Sequence, residues 1–137
     1  MTIRDYYNGS LIVNDTIELI AYADGLHIGQ EDIRKYSDDL SEAVKMIRQK
    51  IGRKQLGFST HNKEEILEAN RLDLDYIGLG AYRATHTKSE ANVGGSSLLE
   101  AASHSIHPVG MIGGVTLEDA FEEPIVYKVI GSGLYLR

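Results

Sequence analysis

The sequence predicts an α/β protein built on parallel strands. Short apolar runs rich in β-branched residues alternate along the chain with segments of helical spacing. Alternation of this kind joins parallel strands through crossover helices. Each of six such runs ends in polar residues or glycines, and in these folds chemistry gathers at the C-terminal strand ends. The stretch Tyr76-Ile77-Gly78-Leu79-Gly80 reads as a buried strand feeding a loop with Thr85, Thr87 and Lys88. Two hydroxyls and one ammonium suit an anionic group, because lysine supplies charge and threonine supplies short hydrogen bonds.

Leu11-Ile12-Val13 is the first strand and ends in Asn14-Asp15. Ile17, Leu19, Ile20 and Ala23 fit a short helix. Gly25-Leu26-His27-Ile28 is the second strand, followed by Gly29-Gln30-Glu31-Asp32. Leu40, Ala43, Val44, Ile47 and Ile51 recur at helical spacing, with Asp39 and Glu42 as a start signal of the capping-box type. Leu56-Gly57-Phe58 is the third strand, ending in Ser59-Thr60-His61, and Asn62 with Glu65 caps a helix carrying Ile66, Leu67 and Ala69. Tyr76 to Leu79 is the fourth strand, and Ser97 to Ser103 a helix after its loop. Pro108 to Ile112 is the fifth strand, ending in Gly113-Gly114, and Thr116 to Phe121 reads as a short helix with Thr116 and Asp119 at cap spacing. Val126 to Ile130 is the sixth strand, ending in Gly131-Ser132-Gly133.

With 137 residues, one domain over 1–137 is the natural count, and 42% hydrophobic residues suffice for a core. The formal net charge of −6, from 20 acids against 14 bases, argues against a general nucleic-acid binder. No cysteine is present, so disulfides and thiolate metal sites are excluded. The N-terminus lacks the apolar region of a signal peptide and no run is long enough for a bilayer span, so a cytoplasmic protein without membrane contact is expected.

Asp15 and Asp32 stand at the tips of successive strands. Neighbouring parallel strands lie roughly 5 Å apart, so the pair suits one hard cation such as magnesium; equally, both are acids at helix starts, facing the helix dipole. Gly113-Gly114 and Gly131-Ser132-Gly133 offer a cradle of backbone N–H groups for a phosphate, or simply tight turns. The five histidines show no metal-ligand spacing; His27 reads as a satisfied core residue, His104 and His107 as turn residues near a helix end.

Taken together, these strand tips resemble the thiamine-phosphate synthase family. The matching pieces are Leu11-Ile12-Val13-Asn14-Asp15, the run from Ala23-Asp24-Gly25 through His27 and Gly29-Gln30-Glu31-Asp32, Ser59-Thr60-His61, Asp75 to Gly80, Thr85-His86-Thr87-Lys88 and Ile112-Gly113-Gly114-Val115, in the family's order. The resemblance implies a (β/α)₈ TIM-type barrel, here incomplete with about six β/α units. It implies coupling of a pyrimidine-methyl diphosphate to a thiazole phosphate with release of diphosphate. By position, Asp15 and Asp32 would hold magnesium (Mg2+), and Asn14, Ser59 and Lys88 would contact the diphosphate, Ser59 and Lys88 as the catalytic pair. Thr85 and Thr87 would line the thiazole side, and Gly114 and Ser132 would seat its phosphate.

A complete barrel of this type runs to at least about 200 residues. The resemblance implies that the first two strand-helix units, with the family's Gln-x-Arg-x-Lys segment, lie outside this chain, so weak synthase activity is expected. Ala81 and Arg83 stand where the family usually has Pro and Phe, and Arg83 is a candidate replacement for the absent positive charge. Two alternatives accompany the synthase reading: a non-catalytic protein that binds thiamine phosphate or a precursor, and a thiazole tautomerase-like isomerase, which Ala81 disfavours because that branch carries His there. Open edges at the first and sixth strands imply a homodimer, with Tyr6, Tyr7 and Tyr135 as interface candidates.

Overall fold

A computed structural model of the chain describes residues 8–83 and 95–130. Among them, six strands form one parallel sheet in sequence order: β1 (Ile12–Asn14), β2 (Gly25–Ile28), β3 (Gln55–Thr60), β4 (Tyr76–Leu79), β5 (Val109–Ile112) and β6 (Ile125–Val129). The helices between them are α1 (Gln30–Ile33), α2 (Leu40–Ile51), α3 (Lys63–Ala69) and α4 (Ser96–Ala102), with a 3₁₀ segment at Ile17–Tyr22. All five ladders are parallel. This is the incomplete barrel of parallel β/α units that the sequence predicts.

The two sheet faces are chemically different. Leu26, Ile28, Leu56, Phe58, Ile77, Leu79, Val109 and Met111 alternate along β2 to β5 and pack in one cluster with Ala43, Val44, Ile47, Ile66, Leu98 and Ala102 of the helices. The core therefore lies between sheet and helices. The opposite face carries glycines and polar residues on β2 to β4, with Ile12, Ile112 and Val129 on the flanking strands, and borders a cavity of about 460 Å³. β1 and β6 each have one neighbour among the described strands.

Helix starts follow the expected chemistry. Asp39 accepts from the Ser41 and Glu42 amides, and Asn62 Oδ1 accepts from Glu65 N at 2.8 Å. Each bond satisfies an amide that the first turn of a helix leaves without a partner.

Two elements differ from expectation. The residues after Gly29 form a helical turn, α1, because Ile33 N reaches Gly29 O at 3.0 Å and fully buries Ile33. Thr116 to Phe121 is not a helix. Asp119 Oδ2 accepts from Thr116 N at 2.8 Å and closes a turn that goes no further. The cap spacing was present, but Leu117 is exposed and the segment lacks a second apolar face to hold a helix down.

Candidate functional site

The cavity opens among the C-terminal strand ends. Its wall includes Asn14, His27, Ser59, His61, Tyr76, Gly78, Ala81 and Gly113. Glycines make way for two of its wall side chains. A Cβ on Gly57 would lie 2.0 Å from Tyr76 Cζ, and one on Gly78 would lie 3.2 Å from His27 Cε1. The tyrosine ring occupies the space left by one glycine, and the imidazole that left by the other.

His27 sits at the centre of this wall. Its Nδ1 lies 3.0 Å from the Tyr76 hydroxyl and its Nε2 2.8 Å from Ser59 Oγ, and the ring stacks on Tyr76 with centroids 5.5 Å apart. Burial lowers the His27 pKa, partly opposed by the charge of Asp15. Burial likewise pushes the Tyr76 phenol up to about 12. Gln30 Nε2 donates to Ser59 O at 2.8 Å, so α1 anchors the backbone that carries the serine.

Beside the cavity, Asp15 and Asp32 come together. Asp15, at φ 62, turns away from β1, and its Oδ1 accepts from Gly29 N at 2.9 Å. Asp32 binds Lys35 Nζ at 2.8 Å. The Lys35 ammonium holds the Asp32 carboxyl below its ordinary range, and Asp15 lies close enough for its charge to act on the same lysine. Two carboxylates this close offer hard oxygen donors, and magnesium is commonly held by one or two carboxylates with waters and substrate phosphates completing its shell. The donor set therefore fits magnesium. No group of three or more acidic or histidine side chains suited to a metal occurs among the described residues.

Arg83 is already engaged. It grips Asp119 bidentately, Nη1 to Oδ2 and Nη2 to Oδ1 both at 2.7 Å, and Nη1 also donates to Gly114 O at 2.8 Å. Its backbone N donates to Gly113 O at 2.9 Å. Gly113 and Gly114 adopt φ 98 and 63, which glycine tolerates best. Arg83 thus braces the glycine turn, and its charge is matched by Asp119.

Of the residues singled out in the sequence, Asn14, Ser59, Asp15, Asp32 and Gly114 fall on this end of the sheet. Thr85, Thr87, Lys88 and Ser132 lie outside the described residues. The sequence reading missed Tyr76 and undervalued His27, whose imidazole is satisfied yet forms part of the cavity wall. The available signal was period two: Leu26 and Ile28 belong to the core face, so His27 between them must belong to the other.

A model of the family described as thiamine monophosphate synthase matches residues 2–123. The chain belongs to the thiamine monophosphate synthase family. Among curated members, the thiamine-phosphate synthase of Ruminiclostridium cellulolyticum is 38% identical over 125 residues, covering 88% of this chain and 55% of that protein. That of Methanobrevibacter smithii is 40% identical over 124 residues, with the same shares. A solved structure of thiamine phosphate pyrophosphorylase from Pyrococcus furiosus superposes with a TM-score of 0.64 at 27% identity, covering 82% of this chain and 50% of that one. This member of the thiamine monophosphate synthase family spans about half the length of these relatives.

Proposed function

We propose that the chain forms one domain of a thiamine-phosphate synthase, a transferase that couples a pyrimidine-methyl diphosphate to a thiazole phosphate and releases diphosphate. The observation that carries this reading is the Asp15–Asp32 pair beside a cavity lined by Asn14 and Ser59, in a chain of this family. Asp15 and Asp32 would hold magnesium, which when bound supplies charge neutralisation on the diphosphate oxygens. Asn14 and Ser59 bind the same diphosphate as hydrogen-bond donors, and Lys88 adds charge to the leaving group. Thr85 and Thr87 line the thiazole side, and Gly114 and Ser132 seat its phosphate. The carbon–oxygen bond to the diphosphate breaks first, its electrons leaving with the diphosphate. The thiazole nitrogen then attacks the pyrimidine-methyl cation. Groups aimed at the departing oxygens suit such a step, because charge develops there.

A homodimer in the cytoplasm belongs to the same reading. Val126, Tyr127 and Val129 leave both faces of β6 exposed, and this supports cover by a second copy. Among the described residues no helix is long and apolar enough to cross a membrane.

The test is calorimetric titration of inorganic diphosphate, with and without magnesium, into wild type and Asp32→Ala. Binding should require magnesium and weaken at least about tenfold in the variant, the loss expected for a charge-assisted contact. Equal affinity in all four titrations would sink the reading. Incubation with both phosphorylated substrates then separates a synthase from a protein that only binds them.

A further inference from the structure

We propose that Tyr76 and His27 form a relay that turns the hydroxyl proton of Ser59 into the cavity, making Ser59 a donor to an anionic oxygen. The ligand half of this inference rests on the proposed diphosphate site; the direction of the relay does not.

The three groups are in line: Tyr76 hydroxyl to Nδ1 at 3.0 Å, Nε2 to Ser59 Oγ at 2.8 Å. Beyond this chain, neither hydroxyl has another hydrogen-bond partner among the described residues. A neutral imidazole carries one N–H, so two arrangements exist. With the proton on Nδ1, that N–H donates to the Tyr76 oxygen, and the phenol proton is left without an acceptor. Ser59 then spends its own proton on Nε2 and shows the cavity only lone pairs, which repel an anion. With the proton on Nε2, Tyr76 donates to Nδ1, Nε2–H donates to Ser59 Oγ, and the serine proton is free to point into the cavity. Either arrangement leaves one hydroxyl proton over, and the phenol is the stronger acid and so the better donor to a ring nitrogen, which favours the second. A charged imidazole also donates from Nε2, so the serine keeps the same orientation in both states.

Packing holds the relay in place. Tyr76 fills the space at Gly57, its partner across the β3–β4 ladder, and His27 fills the space at Gly78. The imidazole and phenol rings stack at an interplanar angle of 25°. Ser59 is fixed from behind by Gln30 through its carbonyl. Tyr76 and His27 are positioning residues on this account: they set which way Ser59 points its proton.

Nitrogen-15 NMR of the imidazole in the full chain, without ligand, reads the direction directly. The expected spectrum has a protonated Nε2 and an unprotonated Nδ1; a neutral ring protonated on Nδ1 would overturn the proposal. In Tyr76→Phe the preference for Nε2–H should weaken, and magnesium-dependent binding of inorganic diphosphate should fall about three- to tenfold, the loss of one hydrogen bond. In a Ser59→Ala background the same substitution should have no further effect. Additive losses would mean that Tyr76 acts by another route. If Ser59→Ala binds diphosphate as wild type does, the diphosphate reading fails, and the tautomer still decides the relay.

Discussion

Tyr76 shows how one side chain serves packing and chemistry together. Its ring occupies the space beside Gly57, its face stacks on His27, and its edge meets Tyr127 with centroids 6.4 Å apart. Burial raises its phenol pKa from 10.0 to about 12. The phenol is an acid whose neutral form the fold prefers, so this contribution is intact below pH 10 and declines as pH rises toward about 12. Alkaline titration followed by tyrosinate absorbance should show a late component near pH 12 that Tyr76→Phe removes. A wild-type curve complete by pH 11 would contradict the buried phenol. Gly57→Ala should destabilise the chain by about 1–3 kcal/mol, because the new methyl overpacks the ring; urea unfolding measures this, and an unchanged midpoint would show that the ring yields freely. None of this was visible in the one-dimensional pattern. Tyr76 reads as the first residue of an apolar strand, and only the ladder register sets it against Gly57.

At the scale of elements, Arg83 ties the described residues just after β4 to the turn after β5. Tyr82 adds to the contact by meeting Phe121 edge-on, with centroids 5.2 Å apart. Arg83, and then the Thr116 amide, hold the Asp119 carboxyl far below its usual value of 3.8. A depressed carboxylate contributes above its unfolded pKa and is lost only as pH falls through the folded value, so the clamp should outlast mild acidification. Amide shifts of Arg83 and Thr116 should stay constant from neutral pH through 3.8; movement already near that value would disprove the bidentate grip. Arg83→Gln should speed hydrogen exchange at the amides of Thr116 and of residue 83 while shifting the urea midpoint little, since the Arg83 side chain is 46% exposed to water. Here the sequence was partly legible. The Thr116–Asp119 spacing announced a local bond, and the structure has one, but as a turn. Arg83 was read as a stand-in for absent charge because its partner, thirty-six positions away, cannot be inferred from local spacing.

For the whole molecule, the parallel α/β architecture was legible because each strand announces itself by β-branched runs and each long helix by its spacing. α2 begins and ends at the residues its periodicity gives, Leu40 and Ile51. The cavity was less legible, since its wall depends on glycines on one face of neighbouring strands and needs the pairing to be seen. On β6, Val126, Tyr127 and Val129 are 49%, 55% and 40% exposed, so apolar groups of both faces meet solvent. Light scattering of this chain at low micromolar concentration should report twice the chain mass; a folded monomer that binds no apolar dye would remove the argument for a second copy. The strand order has a consequence for synthesis. Among the described strands, each from β2 to β6 pairs with the one made just before it. These strands can therefore dock one by one on a neighbour already in place as they leave the ribosome. For them, order of translation and order of assembly coincide, and a pause after any helix leaves a sheet with one growing edge rather than a tangle of unmatched segments.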